Sequence, residues 1–62
     1  MNWHIVRVFY RTMRDCTSTI VKVQADDTTA ALNAAFDKVR KRRGVIKLDT
    51  AEWRGLADPP RN

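Results

Sequence analysis

Few side chains in this sequence belong to the types that catalyse reactions or bind metal ions. His4 is the only histidine, Cys16 is the only cysteine, and the acidic residues are scattered. A zinc site needs several cysteine or histidine ligands, and a nucleophile needs a base beside it. We therefore predict no catalytic site and no metal site, and we expect the protein not to be an enzyme. His4 is interpreted as a hydrogen-bonded core residue and Cys16 as an ordinary thiol in a turn.

The remaining candidates for chemistry point the same way. Asp49 and Glu52 stand three positions apart in a strand-like segment, which directs them to opposite faces and does not suit a pair of catalytic carboxylates. Gly44 and Gly55 are the only glycines, too few for a phosphate-binding loop or a dinucleotide fingerprint. We expect no cofactor.

A dense group of cations is the first feature with a binding chemistry. Five lysines and arginines occupy six successive positions and a sixth cation follows, which gives the set Lys38, Arg40, Lys41, Arg42, Arg43 and Lys47. This set could contact several phosphates of a nucleic acid without specifying base or strand. Cations at a helix C-terminus are also stabilised by the helix dipole. A solvated helix end is an equally good interpretation.

The second feature is the alternation of residue types from Trp3 to Arg11, which predicts a β-strand. One face of this strand carries valines and suits a core. The other face mixes large apolar and cationic side chains, and with one lysine of the next strand it gives the candidate partner-binding set: Trp3, Ile5, Arg7, Phe9, Arg11 and Lys22.

Three interpretations of this mixed face stay open. It could bind a protein partner or a second copy, with Trp3 and Phe9 as buried anchors and the arginines around them. It could bind single-stranded nucleic acid, with the same aromatic rings stacked on bases. Alternatively, the aromatic side chains could curl around the sheet edge and extend the core.

The elements that position these residues follow from the residue pattern. A polar turn over 12–18 and a second β-branched run over 19–25 predict a hairpin. Asp27 suits a helix N-cap, and the apolar spacing after it predicts a helix over 28–43 that Gly44 closes. Alternation over 45–52 predicts a third strand. The predicted core is Val6, Val8, Tyr10, Val21, Val23, Leu32, Ala35, Phe36, Val39, Ile46 and Leu48.

Length and composition limit the architecture. The chain has 62 residues, 44% of them hydrophobic and 31% charged, which is typical of one small globular domain. We predict an α+β fold of order β-β-α-β, a three-stranded antiparallel sheet with one helix packed on one face. The domain should span 1–54, and 55–62, with Pro59 and Pro60, should be a flexible tail.

Charge and cysteine content limit the partners and the compartment. The net charge of +5 favours acidic partners, either an acidic protein or nucleoprotein complex or nucleic acid. One cysteine allows no internal disulfide, and no residue run has the layout of a signal peptide or a membrane span, so we expect a cytoplasmic protein. A thin core and an uncovered sheet face favour a homodimer, through that face or an edge strand.

The stretch Thr19-Ile20-Val21-Lys22-Val23-Gln24-Ala25-Asp26-Asp27, followed by Ala30-Ala31-Leu32, resembles the strand-to-helix junction of small bacterial and bacteriophage proteins. The resemblance covers about residues 4 to 50. Proteins of this kind include phage accessory products such as anti-CRISPR and other anti-defence proteins. The resemblance implies a non-catalytic protein that occupies and inhibits or modulates a host complex, and it transfers no functional residue.

Overall fold

The computed structural model describes residues 2–58 and contains three strands and one helix. Strand β1 is Asn2–Arg11, β2 is Cys16–Ala25, helix α1 is Thr28–Arg40 and β3 is Lys47–Ala57. The strands form one antiparallel sheet in the order β2-β1-β3, with α1 against one face. The predicted α+β class and β-β-α-β order are confirmed.

Strand β1 lies in the centre of the sheet. Because β2 and β3 are both antiparallel to β1, they run parallel to each other on its two sides. Parallel strands need a long crossover connection, and α1 with its flanking loops provides it. The helix therefore passes over β1 and covers one face of the sheet, which we call the covered face. The opposite face is called the open face.

The β1–β2 hairpin is tighter than the sequence predicts. The turn closes around Thr12, whose backbone N–H donates to the Asp15 carbonyl at 2.8 Å and whose Oγ1 accepts from the Arg14 and Asp15 N–H groups. Cys16 and Ser18, predicted in the turn, are instead residues of β2 that pair with β1. The prediction was wrong because Thr12 satisfies the turn within four residues, which leaves the next residues free to join the ladder.

The helix begins where the sequence predicts and ends earlier. The Asp27 side chain accepts the Ala30 N–H at 2.7 Å, which confirms the N-cap. The last helical residue is Arg40 rather than Arg43, and the Arg42 N–H closes a tight final turn on the Val39 carbonyl. No apolar side chain follows Val39 until Val45, so another helical turn would bury nothing. Gly44, with φ +85°, lies in the connection to β3 instead of closing the helix.

The core lies between the covered face and α1 and consists of small side chains. Its buried residues are Val6, Val8, Val21, Val23, Ala25, Ala31, Ala35 and Val39. The predicted core residues Tyr10, Leu32, Phe36 and Leu48 are partly buried around them. Ile46 was wrongly predicted, because it precedes β3 and is 58% exposed.

Strand β3 begins two residues later and extends five residues further than predicted. Gly55 pairs with Ile5 and Ala57 with Trp3, so the first part of the predicted tail belongs to the sheet. The tail prediction is wrong for 55–57 because these residues pair with β1, which is distant in sequence. Gly55 has φ +125°, a conformation that favours glycine. The rest of the predicted tail, 59–62, lies outside the described residues.

Within residues 2–58, no helix combines the length and the apolar composition that a membrane span requires.

Candidate functional site

The open face brings the predicted partner-binding set together. Trp3, Ile5, Arg7, Phe9 and Arg11 alternate with the buried residues of β1, and Lys22 lies opposite Ile5 on β2. Since β1 is the central strand, these side chains run along the middle of the face. The apolar members are absent from the residues that pack against the core cluster. The interpretation of the aromatic residues as an extension of the core is therefore not supported.

The large side chains of β1 form a ridge whose neighbours are small on the β3 side, whereas the β2 side carries Gln24, Lys22 and the exposed Ile20. Trp3 lies beside Ala57, Ile5 beside Gly55, and Phe9 between Ser18 and Thr50. Six residues of extended chain place the Trp3 and Phe9 positions about 20 Å apart. Both aromatic residues are half-buried although no element of residues 2–58 covers this face. Such a ridge places two separated aromatic side chains on one face of the sheet.

Arg7 lies between these two aromatic residues and has an unsatisfied polar atom. Its guanidinium carbon is 5.9 Å from the centre of the Phe9 ring, within the range of a cation–π contact. Its Nε is buried and finds no hydrogen-bond partner in the described part of the chain. Glu52 stands directly opposite on β3, but its carboxylate accepts from Arg54 at 2.7 Å. Arg7 thus lacks a carboxylate partner within residues 2–58.

The structure adds a second cation to the end of the ridge. Lys47, which the sequence groups with the helix end, pairs with Arg11 across β1 and β3. Directly opposite residues share a face, and like charges placed this way destabilise a sheet. The open face therefore carries Arg7, Arg11, Lys22 and Lys47, with Glu52 already paired to Arg54. Its charge is positive and suits an anionic surface.

A cleft of about 300 Å³ opens beside Phe9 near the hairpin end, lined by Phe9, Cys16, Thr17, Ser18 and Asp49. Asp49 is the extra residue of a bulge in β3, and this bulge is why it departs from the strand alternation. The cleft combines one aromatic ring, hydroxyl groups and one carboxylate. It is large enough for one side chain of a partner and would accept a hydrogen-bond donor from it.

The helix-end cations do not form one surface. Arg40 pairs with Asp37, Lys38 Nζ donates to the Lys22 carbonyl at 3.3 Å, and Arg42 donates to Thr19 Oγ1 at 3.0 Å. Lys41 and Arg43 are exposed, and Lys47 belongs to the open face. The six predicted nucleic-acid contacts are thus divided among the helix end, the edge of β2 and the open face.

His4 takes the structural role that the sequence predicts, through a partner that the sequence does not identify. The Trp53 indole N–H donates to His4 Nδ1 at 3.0 Å, and His4 Nε2 lies 3.1 Å from the Ala25 carbonyl. An indole can only donate, so Nδ1 accepts and the proton is on Nε2. This hydrogen bond therefore links β3 to β1 on the covered face. The sequence does not predict this pair, because 49 positions separate the two residues.

Comparison with known protein families, with curated proteins and with solved structures finds no significant match for this chain.

Proposed function

We propose that this protein is a non-catalytic binding module that docks an acidic protein surface on its open face. Trp3 and Phe9 are the anchors of the interface, and Arg7, Arg11, Lys22 and Lys47 attract and orient the partner. Aromatic and arginine side chains are the residues that most often dominate binding energy. The resemblance to phage accessory proteins suggests that the partner is a host complex whose activity the protein inhibits or modulates, in the cytoplasm.

One observation carries this proposal: Arg7 is held on the Phe9 ring with a buried, unpartnered Nε and without a carboxylate partner in the described chain. An unsatisfied buried donor costs about 1–3 kcal/mol. A partner's carboxylate can reach this Nε only when the Arg7 side chain turns outward on binding, and the pair would then be desolvated by the two aromatic residues, which strengthens the interaction.

The same cations distinguish a foreign partner from a second copy. In a face-to-face dimer the ridge cations of one copy would meet those of the other, with only Glu52 and Asp49 of the described residues to compensate them. An acidic partner is therefore favoured over self-association through this face. The homodimer remains a prediction, and light scattering of the purified protein tests it.

The partner is first captured from host extract with the wild-type protein and purified. The affinity of the purified partner is then measured for two matched variants, each with two charges reversed. Arg7→Glu with Arg11→Glu changes the open face, and Arg42→Glu with Arg43→Glu changes the helix end. We expect the first pair to lower affinity by about a hundredfold or more and the second pair to slow association only. Trp3→Ala should also weaken binding severely.

The alternative function is sequence-tolerant nucleic-acid binding, which is tested with DNA. Light scattering with a short single-stranded and a short duplex DNA, at low and moderate salt, should show no complex at moderate salt. A DNA complex whose affinity falls steeply with salt and which the helix-end variant abolishes would contradict the proposal. Full binding of the protein partner after the open-face reversal would contradict it as well.

A further inference from the structure

The outer edge of β2 is a second surface without a partner, separate from the open face. Strand β2 pairs with β1 along one side, and within residues 2–58 no strand pairs with its other side. All ten residues of β2 keep register with β1, whereas β3 is interrupted by two register shifts. Bulges protect a sheet edge from further pairing, and a long regular edge is a template for another strand. Only the β2 edge is regular in this way.

The hydrogen bonds identify which backbone groups face outward from β2. Arg11 accepts the Ile46 N–H through its carbonyl, on the β3 side of β1. Backbone groups alternate in direction along an antiparallel strand, so the even-numbered residues of β1 bond to β2 and their partners in β2 are odd-numbered. The even-numbered residues of β2 therefore direct their N–H and C=O groups outward. Lys38 Nζ reaches the Lys22 carbonyl from outside the sheet, in agreement with this alternation.

Cations surround this outward edge. Lys38 donates to the Lys22 carbonyl, Arg42 donates to Thr19 Oγ1, and Lys22 itself is exposed on the strand. A second copy pairing here would bring the same cations against each other, which is unfavourable. An extended segment with acidic side chains would instead meet complementary charge over positions 19–22 of the edge.

We propose that the outer edge of β2 binds an extended acidic segment of a partner protein as a fourth strand of the sheet. A backbone N–H of the incoming segment replaces Lys38 Nζ at the Lys22 carbonyl, and the released ammonium group pairs with a carboxylate of the segment. The main-chain hydrogen bonds supply affinity and the flanking cations supply selectivity for acidic side chains. The proposal does not require the proposed function, because apart from Lys22 it uses only the backbone of β2 and the helix-end cations Lys38 and Arg42.

A blocked ten-residue peptide of alternating glutamate and valine is the probe, titrated into the ¹⁵N-labelled protein. The expected result is that the outward amides of Ser18, Ile20, Lys22 and Gln24 shift and exchange more slowly with solvent. The amides of the neighbouring odd-numbered residues already bond to β1 and should exchange as before. A matched peptide with lysine in place of glutamate should not bind.

Two kinds of variant test the backbone and the charges separately. Ile20→Pro removes one outward N–H, at a position where an edge strand tolerates proline, and should lower affinity for the acidic peptide by about tenfold. Because proline could impair folding, Lys38→Gln with Arg42→Gln provides a second variant, expected to weaken binding several-fold without unfolding. Lys41→Gln with Arg43→Gln removes the same charge from the same helix end and should leave affinity unchanged.

Several results would overturn the inference. Equal binding of the lysine peptide would exclude charge selection, and equal loss in both glutamine pairs would indicate a general charge effect. Shifts confined to Trp3 and Phe9, or no slowed exchange in β2, would place the peptide elsewhere. A ten-nucleotide single strand that binds through Lys38 and Arg42 while the peptide does not would assign the edge cations to nucleic acid. Arg7→Glu should leave peptide binding intact, so this proposal and the proposed function can fail separately.

Discussion

The covered face of β1 carries small apolar side chains, and its open face carries large ones. On the covered face, Val6 and Val8 are fully buried beneath Ala31 and Ala35 of the helix. On the open face of the same strand, the large apolar side chains are only half-buried. A small domain gains most from burying its largest apolar residues in its core. Here the buried core is built from valine and alanine, while Trp3, Ile5 and Phe9 stay partly exposed on a face that no element of residues 2–58 covers.

The small core has a structural reason. Alanine at i and i+4 of α1 lets the helix backbone approach the sheet closely, and valine fills the narrow space that remains. Stability at a typical ~0.05–0.15 kcal/mol per residue amounts to about 3–9 kcal/mol for this chain. Single substitutions on the covered face should therefore decide whether the protein folds, and substitutions on the open face should decide whether it binds.

The largest difference is expected from the same substitution on adjacent residues of β1. Val8→Asp places an unpaired carboxylate in the core and should cost more than about 3 kcal/mol, which is a third or more of the total stability expected for this chain. Phe9→Asp faces outward beside Arg7 and should leave the protein folded. Circular dichroism and urea denaturation measure both variants, and comparable losses would show that the open face is also part of the folding core.

A smaller difference is expected between the two tryptophans. Trp53→Phe removes the indole N–H that His4 Nδ1 accepts, and the free energy of unfolding should fall by about 1 kcal/mol. Trp3→Phe should change it by less than about 0.5 kcal/mol, because within residues 2–58 the Trp3 indole makes no such bond. Urea denaturation of the two variants gives the comparison. Equal effects would mean that the His4–Trp53 bond does not stabilise the fold.

The smallest expected effect has the opposite sign. Arg7→Met keeps an unbranched apolar side chain beside Phe9 and removes the buried, unpartnered Nε, so stability should rise by about 0.5 kcal/mol while partner binding falls. Arg11→Met, at an exposed position, is the matched control for the loss of charge. A clear loss of stability for Arg7→Met alone would show that the guanidinium serves the fold instead of a partner.

Local chemistry allowed much of this architecture to be predicted from the sequence. Residue alternation identifies β1 and the six residues of the open face, because side-chain direction in a strand depends only on position parity. Asp27 marks the helix start through a contact within three residues. The predictions were wrong where the pairing partners are distant in sequence. Ile46 was predicted in the core and 55–57 in a flexible tail. No pattern of neighbouring residues shows where β3 begins and ends, because its bounds depend on its pairing with β1.

The sequence by itself determined the element types, their order, the positive charge and the two faces of each strand, since all of these depend on neighbours a few residues apart. Only the tertiary structure decided that β1 is central, which places the aromatic ridge in the middle of the open face and leaves β2 as a regular edge. It also placed Lys47 opposite Arg11 and the Trp53 indole beside His4. These pairings depend on strand order and register, which are fixed by the packing of the whole chain and not by any local pattern.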